Sequence, residues 1–257
     1  MPQQRYDDEM EYVEYDGVLQ EAEQIIRQCF KQFRLEEVFL SFNGGKDCTA
    51  LLDITINVLT ENYSTEDVKN NIKVVYIRTK HPFREIEEFV EEIQSHYGIT
   101  LTMVEGELKT TLQNVLEQDG TLKACLMGTR RTDPYSSDLE FMQKTDSNWP
   151  QLIRVSPILN WSYHQIWSYI LKRKVPYCSL YDKGYTSIGS SHNTWPNPAL
   201  AYKDRNGILS YLPAWRLSDA ALERAGRTPP STKTTNGIVA NGENGHCHCS
   251  HSVGDTF

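Results

Sequence analysis

The chain has 257 residues, 39% of them hydrophobic and 23% charged, with a net charge of −8; this is the composition of a water-soluble globular protein. The acidic balance argues against nucleic acid as the main partner, and no apolar run approaches the roughly 18 residues of a membrane span. The opening "MPQQRYDDEMEYVEYD" is acidic and lacks an apolar core or an arginine-rich face, which argues against a secretory signal or mitochondrial presequence. With six cysteines in no framework spacing, the expectation is reduced thiols in the cytoplasm.

Taken in chain order, Val18, Leu19, Ala22, Ile25, Ile26, Cys29, Phe30 and Phe33 recur at helical spacing and predict an amphipathic helix. Val38–Phe42 reads as a short apolar strand, and Leu51, Leu52, Ile54, Thr55 and Val58 carry a second helix. Lys73–Arg78 is a strand; Phe83, Ile86, Phe89, Val90, Ile93 and Tyr97 carry a helix closed by Gly98. Leu101–Gly106 and Lys123–Gly128 are strands with a helix between them near Leu108–Leu116. Arg154–Leu159 reads as a fifth strand, and Asn160 or Ser162 caps a helix through Ile166, Trp167, Ile170 and Leu171. Strands separated by helices predict an α/β fold, a mainly parallel twisted sheet with helices on both faces. Such a sheet binds its ligand beyond the carboxyl ends of the strands, so the loops after Phe42, Arg78, Gly106 and Gly128 are the ones to inspect. Three regions are expected: an N-terminal extension (1–17), the body (18–227) and a tail (228–257). The tail is poor in large apolar residues and rich in Gly, Asn, Thr and Ser, so it is expected to be disordered. Its "HCHCSH" (His246–His251) lacks the second ligand pair of a structural zinc site.

The loop after the first strand is "NGGKD" (Asn43–Asp47). Gly44 and Gly45 permit positive φ and close approach of a ligand, and the helix that follows turns its free N–H groups and positive dipole end toward the turn. Phosphate is the natural occupant. A Walker A loop is excluded, because Asp47 follows the lysine and Leu40 stands where the first glycine belongs. The competing reading is a plain strand-to-helix turn capped by Asp47 or Asn43.

A second loop, "MGTRRTDPYSSD" (Met127–Asp138), also follows a strand. Gly128 allows close approach, Arg130 and Arg131 offer forked donors for phosphate, and Asp133 is a carboxylate before a turn proline. In "TDSNWP" (Thr145–Pro150), two readings of Trp149 stand: it caps the core, or it lies against a planar ligand whose polar edge Asp146 and Asn148 read.

Together these stretches resemble a family. "SFNGGKDC" is similar to the pyrophosphate loop of the adenylate-forming, PAPS-reductase-like superfamily in its eukaryotic FAD synthase form. "MGTRRTDPYS", "TDSNWP", "YDKGYTSIGS", "NPAL" and "YLPAW…LERAGR" resemble that family in the same order, over about residues 18–227. The resemblance implies an adenine nucleotide α-hydrolase-like sheet with a C-terminal helical and loop extension. It implies transfer of AMP from ATP to FMN, giving FAD and pyrophosphate with Mg²⁺, and apo-flavoproteins as possible recipients of FAD. No nucleic acid and no membrane is implied as partner. Many animal members carry an added N-terminal molybdopterin-binding-like domain, for which this chain has no room.

The expected roles follow from charge neutralisation between two anionic substrates. Asn43, Lys46, Asp47, Asp133, Arg224 and Arg227 are the expected catalytic residues. The amides around Gly44 and Gly45 with Lys46 hold the leaving pyrophosphate, Asn43 orients phosphate oxygens, and Asp47 or Asp133 binds Mg²⁺ directly or through water. Arg224 and Arg227 are carried over from the family's C-terminal arginines, and their competing reading is solvated charge. Ser41, Phe42, Ile77, Met127, Gly128, Arg130 and Arg131 are expected around the nucleotide, with Ile77 and Phe42 near adenine. The resemblance places flavin against Asp146, Ser147, Asn148 and Trp149. Cys48 is expected to pack the helix. Three alternatives stay open: a sulfonucleotide reductase, whose thiol would be Cys247 or Cys249; a tRNA-thiolating enzyme, which wants paired cysteines and a basic surface; and a non-catalytic flavin carrier.

Overall fold

A computed structural model describes residues 12–227. The expected tail, its His246–His251 tract and Cys247 and Cys249 lie outside the described residues. The chain begins with α1 (Asp16–Gln32), β1 (Val38–Phe42) and α2 (Lys46–Leu59). It continues through α3 (Thr65–Asn71), β2 (Lys73–Arg78), α4 (Arg84–Tyr97), β3 (Leu101–Glu105), α5 (Leu108–Gln118) and β4 (Ala124–Leu126). Then come β5 (Met142–Lys144), β6 (Ile153–Val155), α6 (Tyr163–Arg173) and a small hairpin, β7 (Ala201–Lys203) with β8 (Leu209–Tyr211).

The central sheet has six strands in the order β3-β2-β1-β4-β6-β5. All pairings are parallel except β5 with β6. From β1 the chain steps outward through β2 and β3, then returns to lay β4 on the other side of β1. The strand order therefore reverses between β1 and β4, and the loops leaving these two strands open a crevice at their carboxyl ends, where such sheets take ligands.

Alternation along the strands splits the core in two. Val38, Leu40 and Phe42 of β1, with Val74 and Tyr76 of β2, face a large core filled by α1, α2, α4 and α6. Phe39, Val75 and Cys125 face the other way and meet Leu112 and Val115 of α5, with Met127, Leu122 and Leu152. Both faces are covered, which is why β1 reads as a continuous apolar run, but the coverage is uneven.

Several details differ from the sequence expectations. The last parallel strand is Ile153–Val155 and stops short of Leu159, because Ser156–Leu159 forms a turn closed by Leu159 N–H to Ser156 O. The α6 cap is Ser162, not Asn160: its hydroxyl accepts from Gln165 N–H while the Gln165 side chain accepts from Ser162 N–H, a capping box. α3, β5 and the β7–β8 hairpin are too short to carry a period. α1 starts at Asp16, and Tyr15 before it is buried against Trp161 and Tyr169, so this part of the expected extension packs on the body. Arg227 ends a short 3₁₀ turn, and Arg224 lies between two such turns rather than on a terminal α-helix. Among the described residues no helix is long and apolar enough to cross a membrane.

Candidate active site

The crevice between the β1 and β4 loops holds a cavity of about 140 Å³. Two glycines let the loops meet. Gly44 has φ +75°, and a side chain there would drive into Ile86 of α4, 2.9 Å from its Cγ2. At Gly128 a Cβ would lie 2.8 Å from the backbone nitrogen of Cys48, so the end of β4 can pass over the start of α2 only as glycine.

The β1 loop is already knitted together. Asn43 Oδ1 accepts from Gly45 N–H at 2.9 Å, and Lys46 N–H donates to the Tyr181 hydroxyl at 2.8 Å. Asn43 N–H meets Cys48 Sγ at 3.4 Å. The expected row of free amides is thus partly engaged within the chain. Gly45 is the N-cap of α2 and neither Asn43 nor Asp47 caps it by side chain, which sets aside the capping reading. Cys48 is buried, and burial pushes its thiol up to about 12; it remains a protonated packing residue.

Beneath the loops lies a compact ionic cluster. Lys46 and Arg130 are 2% and 1% exposed. Lys46 Nζ is 2.9 Å from Asp47 Oδ2 and also contacts Glu223 Oε1. Arg130 Nη2 donates to both Glu223 oxygens at 2.7 Å, and its Nε lies 2.8 Å from Asp47 Oδ1. Asp133 Oδ2 accepts from Arg130 N–H at 2.8 Å. Burial opposes the charge of Lys46, but Asp47 and Glu223 more than offset it and raise its pKa. Asp47 likewise resists its own burial: Arg130 and Lys46 hold it below the usual carboxylate range. Asp133 goes the other way, raised first by burial and then by the nearby charge of Asp47. Two carboxylates in one site with opposite shifts mark a place built for charge handling.

Of the expected residues, Ser41, Asn43, Gly45, Lys46, Asp47, Met127, Gly128, Asp133, Arg224 and Arg227 line this cavity. Arg227 packs its guanidinium over Gly189. Ile77 instead borders a smaller adjoining cavity of about 30 Å³ with Tyr76, Pro82, Phe83 and Ile86. Phe42 is fully buried in the large core. Arg130 lies behind the cavity wall, clamping Glu223 and Asp47 rather than presenting a fork to the cavity. Arg131 turns outward: its Nε donates to Asn160 Oδ1 at 2.7 Å, and its Nη1 to the carbonyls of Ser137 and Leu139. Asp146, Ser147 and Asn148 are exposed in a turn closed by Trp149 N–H to Asp146 O, and half-buried Trp149 packs on the smaller core. None of these four lines either cavity.

Thr129, Ser136, Arg154, Tyr181, Ser187, Ile188 and Glu223 also line the larger cavity, and the sequence reading missed them. Tyr181 and Ser187 lie in a stretch already matched to the family, but nothing local marks which side chain points inward. Glu223 beside Arg224 reads as an ordinary solvated charge pair.

The phosphoadenosine phosphosulfate reductase domain model matches residues 37–122 and 108–196. The chain is 39% identical over 213 residues to a probable FAD synthase of Schizosaccharomyces pombe, covering 81% of this chain and 79% of that one. It is 38% identical over 217 residues to a probable FAD synthase of Caenorhabditis elegans, covering 84% of this chain but only 41% of that longer relative. Its structure is similar to that of Candida glabrata FMN adenylyltransferase in complex with FAD and inorganic pyrophosphate, with a TM-score of 0.77 and 28% identity over 84% of this chain and 92% of that one.

Proposed function

The chain belongs to the phosphoadenosine phosphosulfate reductase domain family, and from that premise we infer that it is a nucleotidyltransferase making FAD from FMN and ATP. An FMN phosphate oxygen attacks the α-phosphorus of ATP. The new O–P bond forms as the bond from the α-phosphorus to the bridging oxygen breaks, and pyrophosphate leaves with that electron pair. The observation that carries this reading is the buried Lys46 at the reversal point of the strand order, lining a cavity rimmed by Arg224 and Arg227.

No covalent nucleophile is needed, so positioning and charge neutralisation supply the catalysis. We assign Lys46 to the leaving pyrophosphate and Arg224 and Arg227 to the phosphates at the mouth. Asp47, locked between Lys46 and Arg130, sets the orientation of Lys46. Asn43 shapes the loop through its bond to Gly45 N–H. The adenine goes to the adjoining Ile77 cavity, and flavin lies toward the Asp146–Trp149 turn.

Magnesium fits this site by way of Asp133. Asp47 Oδ2 is bonded to Lys46 Nζ and Oδ1 lies 2.8 Å from Arg130 Nε without a hydrogen bond, whereas Asp133 is raised by burial and by Asp47 and gains from a cation beside it. Among the described residues no cluster of three His, Cys, Asp or Glu side chains suits a metal. That suits an ion carried largely by substrate phosphates and water, with one carboxylate from the protein. When bound, it neutralises charge on the phosphate oxygens. With six cysteines in no framework spacing, we assign the reaction to the cytoplasm, with apo-flavoproteins as recipients of FAD.

The test is incubation of the protein with FMN, ATP and Mg²⁺, reading FAD by chromatography and released pyrophosphate in parallel. Equimolar FAD and pyrophosphate are expected. FMN binding without pyrophosphate release would reduce the protein to a flavin carrier.

A further inference from the structure

Glu223 places a carboxylate in the wall of the cavity assigned to phosphate. It is 9% exposed and lines that cavity alongside Lys46. Its aim is fixed from behind. Thr186 Oγ1 donates to the Glu223 carbonyl at 2.6 Å, and fully buried Asn197 donates to Leu222 O and Thr186 Oγ1, both at 2.8 Å. This buried hydrogen bonding fixes the backbone from which the Glu223 side chain projects.

Within the buried cluster, Lys46 and Arg130 face Asp47, Asp133 and Glu223, two cations against three carboxylates, while Arg154, Arg224 and Arg227 line the cavity outside that cluster. A buried cation needs a counter-charge, and Asp47 already touches both cations. Glu223 doubles that compensation and takes donors that a phosphate would use, since a carboxylate and a phosphate offer the same kind of acceptor oxygens to arginine and lysine. Arg130 does not line the cavity, so its charge is felt there only to the extent that Asp47 and Glu223 leave it uncompensated.

We propose that Glu223 is a positioning residue acting as a resident anion of the phosphate site: with Arg130 anchoring it from behind, it holds Lys46 aligned when the site is free and competes with pyrophosphate for Lys46, which weakens the hold on this product and promotes its release. The proposal rests on the reading of the cavity as a phosphate site. It gives the C-terminal segment a part in turnover, because the same short stretch carries Glu223 and the cavity-lining Arg224 and Arg227.

The test uses the full chain and Glu223→Gln, which keeps the size and the acceptor oxygen but removes the charge. Inorganic pyrophosphate with Mg²⁺ is titrated calorimetrically into each. The expected result is tighter binding in E223Q by roughly tenfold, the scale of one contact to a charged group, with Glu223→Asp returning toward the parent affinity. A purely structural Glu223 predicts the opposite sign, because loosened cations bind pyrophosphate less well. Should E223Q be marginally folded, thermal melts still decide, since pyrophosphate then raises the melting temperature of E223Q more than that of the parent. Equal or weaker binding in E223Q, an equal or smaller thermal shift, or no pyrophosphate binding by either protein would overturn the proposal. FAD formation by the parent chain is read separately. Its absence alongside tighter binding in E223Q would sink the adenylyl-transfer reading and leave the resident anion standing.

Discussion

The two places assigned to substrate are built in opposite ways. The phosphate end is assembled in advance: Lys46, Arg130 and Glu223 are buried, each is held by at least two partners, and the loops above them are bonded to one another. The Asp146–Trp149 turn, assigned to flavin, leaves three polar side chains in solvent and seats a single ring on the smaller core. The difference follows from the ligands. A polyanion needs charges fixed before it arrives, since reorienting them during reaction raises the barrier. A planar aromatic ligand needs a surface and a few polar contacts, which an exposed turn can supply. Substitutions at the first place should therefore cost both fold and activity, and at the second chiefly ligand affinity.

The sharpest contrast comes from neighbouring arginines. Arg130→Ala leaves Glu223 and Asp47 buried with only Lys46 between them, a loss of about 3–5 kcal/mol of stability together with FAD synthesis. Arg131→Ala removes surface bonds and should cost under about 1 kcal/mol. Denaturant melts of the two variants measure the gap, and comparable losses would mean that the inner cluster is not held by charge.

Next in size is Gly128→Ala. The added methyl meets backbone at Cys48 rather than a yielding side chain, so overpacking should cost about 1–3 kcal/mol. Turnover should fall by up to about 100-fold as the loops are pushed apart. Normal turnover in a folded G128A protein would show that the loop spacing does not matter.

Trp149→Ala follows. Its ring is half-buried on the smaller core, so about 1–2 kcal/mol of stability should go with it, and FMN binding should weaken while ATP binding stays nearly intact. Equal loss for both ligands would make the ring purely structural.

These contrasts also show what the sequence could reveal. The central strands β1, β2 and β4 are legible because they are apolar on both faces and the long helices keep a clear period, and the Gly-Gly turn announces itself between a strand and a helix. The ionic cluster was legible only in part. Arg130 and Asp133 advertise charge, but nothing in "RRTDP" says that Arg130 points inward and Arg131 outward; burial decides that, through Leu159 O accepting Arg131 N–H and Asn160 taking its side chain. Glu223 lies 177 residues from Lys46, beyond the reach of any local pattern. Trp149 kept two readings from sequence, and the packing supports the core one without removing the other.

Asp133→Asn should gain stability while losing rate. Burial and Asp47 raise the folded pKa of Asp133, so its ionised form is disfavoured by folding. The stability it contributes is full below its unfolded value and is lost as pH rises through the folded one. At neutral pH the asparagine, which can still accept from Arg130 N–H, removes that cost and should add about 0.5–1 kcal/mol. Below about pH 4, where the unfolded group also takes up its proton, the advantage should vanish. Melts at both pH values, run beside the rate of FAD formation, check the sign; a lower melting temperature at neutral pH would show that Asp133 is held by its cations after all.

The smallest effect on the fold is expected at Asn148. It is exposed in the turn, so Asn148→Ala should change stability by less than about 0.5 kcal/mol. If the turn reads the polar edge of the flavin, the same change removes a hydrogen bond from the complex and weakens FMN binding by about 1 kcal/mol, roughly fivefold. ATP binding, governed by the buried cluster, should not move. This residue separates the two accounts of the turn better than Trp149 does, because no packing loss can mimic the result. FMN titration by flavin fluorescence, with an ATP titration as control, gives the answer. Unchanged FMN affinity in both N148A and S147A would leave Trp149 as a core residue only and move the flavin elsewhere on the molecule, with the buried phosphate end untouched.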